Sequence, residues 1–149
     1  MNIYFGGSIR GGRDDLSLYY DLIRHLGNHG RVLTEHIGSN SLTDKGEHHL
    51  DDAVIHNRDI AWLMNADVGV FEVTQTSMGV GYEIGRIVQR NLQSVKPAPL
   101  LCLFRSTSDK QYSPMISGCP HLTFRKYTDL SNVKITIDNF FSLLQSDNS

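Results

Sequence analysis

"VGVFEVTQTSMGVGYEIGRIVQR", Val68 to Arg90, is the stretch whose reading decides the fold. VGVFEV, its first six residues, is an apolar run of strand length with no polar alternation, which marks a strand buried on both faces. A turn rich in Ser, Thr and Gly follows, and then a helix to about Arg90. Outward from this unit the same alternation repeats. Ile3–Phe5 reads as a strand before a glycine-rich turn, and a helical pattern from Asp14 places Leu18, Leu22 and Leu26 four apart, with Gly27 and Gly30 as stop signals. Arg31–Glu35 is a second short strand, followed by a polar loop.

Helical period in "HHLDDAVIHNRDIAWLMNAD" runs through Leu50, Val54 and Leu63 into the Val68 strand. Beyond Arg90, the sequence predicts a loop at Asn91–Pro99, a strand at "LLCLF", a loop at "SPMISGCP", a final strand at "LTFRKY" and a closing helix from Ser131 to Gln145 capped by Asp129. Strands alternating with helices imply an α/β fold: a single-domain, Rossmann-like (flavodoxin-like) sandwich over residues 1–149. The expected sheet is five-stranded and mainly parallel, in the order 2-1-3-4-5, with helices on both faces.

Composition narrows the partners. A formal net charge of −2 without a run of Lys or Arg disfavours a nucleic-acid surface. The start "MNIYFGGSI" has no signal-peptide regions, and no apolar run reaches membrane-span length, so no membrane partner is expected. Two cysteines, one of them inside "PLLCLF", do not make a disulfide framework. The expected compartment is the cytoplasm, with the nucleus as the alternative.

Ligands of such sheets sit beyond the carboxyl ends of the strands. The turn after the first strand, "GGSIRGGRDD", offers close backbone approach, the Ser8 hydroxyl and the Arg10 cation, all suited to phosphate or sugar. It matches neither a Walker loop nor the dinucleotide fingerprint. Gly79, Gly81 and Gly85 read G-x-G-x-x-x-G, one residue too long for that fingerprint, so a dinucleotide is disfavoured. Ser77 and the free N–H groups of a helix start remain as an anion site.

Glu83 lies about one turn into that helix, where the macrodipole favours its ionised form; it is either a nucleophile or a residue that improves helix electrostatics. In the preceding helix, Asp52, His56 and Asp59 form one polar stripe opposite an apolar face, read either as a solvated face or as the source of a second working carboxylate at Asp59. The histidines, including His48 and His49, lack a convincing ligand set, so no metal or cofactor is expected.

"YFGGSIRGGRDD", "VLTEH", "NRDIAWLMNADV" and "EVTQTSMGVGYEIGRIV", with "LLCLFR" and "SPMISG", together resemble the 2'-deoxynucleoside 5'-phosphate N-hydrolase family of the nucleoside 2-deoxyribosyltransferase superfamily. The likeness runs from Tyr4 to about Gly118. It implies a hydrolase that releases free base and 2-deoxyribose 5-phosphate from deoxynucleoside monophosphates through a covalent glycosyl intermediate. By this resemblance Glu83 is the nucleophile, Asp59 the acid assisting the leaving base, and Tyr4 the contact to nucleophile and sugar. Ser8, Ile9 and Arg10 match first-turn substrate contacts, His36 a position near the base, and Ser77 and Gly79 the phosphate loop.

The resemblance also implies a homodimer in which Ser113, with Met115 beside it, completes the neighbouring subunit's phosphate site. The Asn91–Pro99 connection is longer than the family's usual one. Two other readings stand beside the hydrolase: a deoxyribosyltransferase, in which a second base replaces water, and a nucleotide-binding or sensor domain without turnover. Neither the preferred base nor the strictness for deoxyribose over ribose follows from these residues.

Overall fold

The computed structural model describes residues 1–9, 15–34, 37 and 50–146. Five strands, β1 (Asn2–Gly6), β2 (Arg31–Val32), β3 (Val68–Glu72), β4 (Leu100–Arg105) and β5 (Thr123–Tyr127), pair in the order β2-β1-β3-β4-β5. All four pairings are parallel, so the sheet is wholly rather than mainly parallel. The helices are α1 (Leu16–Leu26), α2 (Asp52–Met64), α3 (Met78–Leu92), α4 (Pro114–Ser117) and α5 (Leu130–Ser146).

Side-chain alternation along the strands sorts the core into two layers. Ile3 and Phe5 of β1 and Val68 and Val70 of β3 pack with Leu22 and Leu26 of α1 and Ile137 and Phe141 of α5. Tyr4 and Phe71, one residue out of phase, pack on the other face with Leu63 of α2 and Val80, Ile84 and Ile87 of α3. This period of two brings Tyr4 under the helices that carry Asp59 and Glu83. Arg90 of α3 donates to the carbonyls of Leu63, Met64 and Ala66, covering the open C-terminal carbonyls of α2 and fixing the two helices relative to each other.

Three expectations need correction. Of the strand expected at Arg31–Glu35, the described residues pair over Arg31–Val32, and Glu35 lies outside them. Beyond Val32 the Thr34 hydroxyl takes over the ladder's work, donating to the Phe5 carbonyl at 2.6 Å and accepting from the Phe5 N–H at 2.9 Å. The helix expected from His48 begins at Asp52, with Asp51 accepting from the Ala53 N–H, and Val54 faces solvent. The apolar face expected of α2 is therefore confined to its last turns, around Leu63. The "SPMISGCP" loop contains a one-turn helix, α4, because Ser113 caps it and Pro114 supplies a preset φ. Asp129 caps α5 as expected, accepting from the Asn132 N–H at 2.9 Å.

Candidate active site

The strand order reverses between β1 and β3, and the crevice beyond their carboxyl ends is where such a sheet takes a ligand. Glu83 projects into this place from α3. A Cβ built on Gly6, the last residue of β1, would lie 3.0 Å from Glu83 Oε2 and 2.5 Å from Phe71 Cδ1, so only glycine leaves room there for the carboxylate.

Glu83 Oε2 is buried and has no hydrogen-bond partner, an arrangement that a folded chain avoids unless a ligand completes it. The Tyr4 hydroxyl hydrogen-bonds the Glu83 carboxylate, and Asp59 is close enough for its charge to act on both. Burial pushes the Glu83 carboxyl up to about 7; the Tyr4 hydrogen bond opposes that shift and the Asp59 charge adds to it. Burial thus outweighs the macrodipole expected to keep Glu83 ionised, since the residue is the sixth of α3 rather than one of its opening turn.

Asp59 Oδ1 is held by its neighbour Arg58, with Nε at 2.9 Å and the terminal nitrogen Nη2 at 2.8 Å. The guanidinium in turn lies over Trp62, 4.7 Å from the ring centroid. His56, on the same stripe, points elsewhere: its Nε2 meets the Tyr82 hydroxyl at 2.9 Å on the exposed surface. The stripe therefore divides into Asp59, whose charge acts on Glu83, and Asp52 and His56, on the exposed face.

The β3–α3 turn is an N-terminal cap. Ser77 stands in extended backbone before α3 and its hydroxyl accepts from the Val80 N–H at 3.3 Å. Ser77, Met78, Ser113 and Met115 line one cavity of about 410 Å³ beside the helix start. Gly79 has only Ser77 Oγ near its missing Cβ, at 3.9 Å, which keeps the helix mouth open. Ser113 Oγ accepts from the Met115 N–H at 3.2 Å, so it is also the cap of α4.

In the first turn, Ser8 is wholly buried and its Oγ is the second unpartnered buried polar atom, while its N–H donates to the Tyr19 hydroxyl at 3.1 Å. Ile9 packs its side chain against the α1/α5 core layer. Arg10 and His36, and with them His48 and His49, lie outside the described residues.

Sequence reasoning gave the turn that begins at Gly6 close backbone approach but not the room it leaves for Glu83, and it passed over Arg58, although "RD" inside the stripe was visible. It also passed over Glu72 of β3, a wholly buried carboxylate. Glu72 accepts from the Thr74 hydroxyl, from the Thr74 N–H at 3.3 Å and from the Tyr127 hydroxyl at 3.0 Å. Only the strand register reveals it, because Tyr127 is 55 residues away.

Comparison with known proteins identifies the family. The nucleoside 2-deoxyribosyltransferase family matches residues 3–111. A 5-hydroxymethyl-dUMP N-hydrolase of Danio rerio is 46% identical over 147 residues, covering 97% of this chain and 98% of that protein. The Homo sapiens protein of the same name is 48% identical over 117 residues, covering 78% of this chain and 64% of its own. A solved structure, the CMP N-glycosidase BcmB of Clostridium botulinum, superimposes with a TM-score of 0.65 over 94% of this chain and 99% of its own; at 13% identity it speaks for the fold alone. On the family match and the length of these alignments, the chain belongs to the nucleoside 2-deoxyribosyltransferase family.

Proposed function

We infer that this chain is an N-hydrolase that cleaves the N-glycosidic bond of 2'-deoxynucleoside 5'-monophosphates to free base and 2-deoxyribose 5-phosphate. The observation that carries this reading is Glu83: a buried carboxylate at the sheet's switch point, held by Tyr4, with Oε2 unpartnered. The N-hydrolase names of relatives aligned over nearly the whole chain support it.

In the proposed reaction a lone pair of ionised Glu83 attacks C1' of the deoxyribose. The C1'–N bond breaks, its electron pair leaves with the base, and a proton relayed from solvent through Asp59 neutralises it. Water then hydrolyses the glycosyl ester, as in retaining glycosidases, and restores the carboxylate. Phosphate binding at the start of α3, by Ser77 and Gly79 with Ser8, Ile9 and Arg10, holds C1' against Glu83, while His36 borders the base. Binding energy spent on the phosphate thereby positions the reacting carbon.

Asp59 also fits a second role, because the Arg58 ion pair occupies Oδ1 and suits an acceptor for a sugar hydroxyl. Incubating the protein with deoxy- and ribonucleoside monophosphates, with and without an added acceptor base, tests the whole reading. Free base from deoxynucleotides without an acceptor supports the hydrolase. Base exchange alone indicates a transferase, and absence of both leaves a nucleotide-binding or sensor domain.

The proposal extends to a homodimer in the cytoplasm or nucleus, with Ser113 and Met115 reaching the neighbouring subunit's phosphate site. Support comes from the α3 surface. Gly81 and Gly85 have nothing within 4 Å of a built Cβ, although each helical glycine costs about 1 kcal/mol, and Met78 and Met115 stand 93% and 83% exposed. These features suit a second helix packed closely there. Ser113→Ala should raise KM for a monophosphate about tenfold. Mixed dimers with Glu83→Gln protein should restore wild-type KM per intact Glu83 if Ser113 acts across the interface, and should not if it acts within its own chain.

A further inference from the structure

Away from the crevice, where α1 ends against α5, two imidazoles converge on one carboxylate. His25 Nε2 and His29 Nε2 each lie 2.7 Å from Asp138 Oδ1. Among the described residues this is the one group of three His, Cys, Asp or Glu side chains whose ligand atoms all fall within 4.8 Å of one another.

The local backbone builds the convergence. His25 is in the last turn of α1, and the chain then folds back through Asn28 N–H to the His25 carbonyl and His29 N–H to the Leu26 carbonyl. That turn returns His29 to the same side as His25. The His29 ring is fixed by stacking on Phe141, with centroids 4.4 Å apart and planes 11° from parallel. Asp138 comes from α5, 109 residues further along the chain.

We propose that His25, His29 and Asp138 form a binding site for a divalent transition-metal ion, Zn²⁺ by preference, that clamps α1 to α5. Two imidazole nitrogens exclude the hard cations Ca²⁺ and Mg²⁺, and two imidazoles with a carboxylate are an established donor type for zinc, here with a water as fourth ligand. Tetrahedral bonds of about 2.0–2.1 Å place ligand atoms about 3.3 Å apart, so the present 2.7 Å contacts need widen by only about 0.6 Å. Asp138 is 49% exposed and free to make that adjustment, whereas the two imidazoles, at 16% and 18%, are held in place. The ion would replace the N–H protons that now point at Oδ1. Because α1 runs back from the carboxyl end of β1 to the start of the parallel β2, its last turn lies at the amino ends of the strands, away from Glu83, and the clamp takes no part in glycosidic cleavage.

The test uses the full chain, stripped with a chelator and titrated with Zn²⁺ by calorimetry and with Co²⁺ by visible absorption. Wild type should bind one equivalent of Zn²⁺, show the visible bands of tetrahedral Co²⁺, and gain about 5–10 °C in Tm at a hundredfold excess over Kd. The double variant His25→Gln, His29→Gln and the single variant Asp138→Asn should each lose affinity at least about tenfold and lose the Tm gain. Metal-free Tm values separate loss of binding from loss of folding, and Asp138→Asn, at an exposed side chain, keeps the test open if the double variant does not fold. No stoichiometric binding by wild type overturns the site and leaves the cluster as a pair of hydrogen bonds. Binding that survives both variants overturns it equally, since the ion would then sit on other histidines or cysteines.

Discussion

Glu72 and Glu83 are both buried carboxylates, both pushed by burial up to about 7, and they stand on opposite faces of the same sheet. Glu72 is surrounded by donors, the hydroxyls of Thr74 and Tyr127 and the Thr74 N–H. Thr74 Oγ1 in turn accepts from the Arg105 N–H at 2.9 Å, and the Arg105 guanidinium grips Asp15 at 2.8 and 3.1 Å. Glu83 has Tyr4 and an unpartnered oxygen. The difference is one of hydrogen-bond satisfaction: a carboxylate whose acceptors are used locks strands together, while one with an oxygen left over has the capacity that the proposed reaction requires.

The sharpest way to break the comparison is Glu83→Gln. Turnover should fall by about 10⁴-fold or more, with nucleotide binding largely retained, because shape survives and the attacking charge does not. Stability should move the other way. A carboxyl raised from 4.5 to about 7 on folding contributes fully below the unfolded value and loses that contribution as pH rises through the folded one. The variant should therefore melt higher than wild type at pH 8 and show no such advantage at pH 4. Rates near wild type would remove Glu83 from the mechanism.

Glu72 should behave in the opposite way. Glu72→Leu leaves the Thr74 and Tyr127 donors without an acceptor in the core and should cost about 2–4 kcal/mol, measured as a fall in Tm. Glu72→Gln keeps an acceptor and should hold kcat within about threefold of wild type, with any loss appearing in KM because Thr74 opens the turn that carries Ser77. If Glu72→Gln were as inactive as Glu83→Gln, hydrogen-bond satisfaction would not be what distinguishes the two.

How far this contrast was legible in the sequence depends on how local its causes are. The β3–turn–α3 unit was readable because an apolar run, a capping serine and a helical period lie within 23 residues. Asp59 was readable as one of two acids on a stripe, yet its separation from Asp52 depends on which part of α2 packs, and Val54 misled because helical spacing does not say which face is covered. Glu72 and the His25–His29–Asp138 cluster were not readable. Their partners arrive from β5 and α5, and pairings across 55 and 109 residues leave no periodic trace. The short helix at Pro114 was missed although Ser-Pro is a cap followed by a first helical residue, because one turn is too brief for a period to register.

A smaller effect is expected at Asp59. If it protonates the leaving base, Asp59→Asn should slow poor leaving groups by about 10²-fold and good ones much less. Equal losses across a series of bases would assign it to the sugar hydroxyl, with Arg58 as its brace.

The smallest and most diagnostic effect concerns the pH dependence of kcat/KM, because Tyr4 and Asp59 act on the Glu83 carboxyl with opposite signs. Free wild-type enzyme should gain activity as pH rises through about 7, where Glu83 ionises. Tyr4→Phe removes the donor that favours the ionised form, so its acid limb should move to higher pH. The loss should be about tenfold on the acid side, the worth of one hydrogen bond to a charged group, and should shrink as the medium turns alkaline. Asp59→Asn removes a like charge and should move the limb to lower pH, whatever it does to the plateau. A structural role for Tyr4, through its packing against Phe71 at 5.9 Å, would lower activity evenly at every pH. Limbs that shift together, or not at all, would mean that the titrating group is not Glu83, and the nucleophile would then have to be sought among the other carboxylates of the crevice.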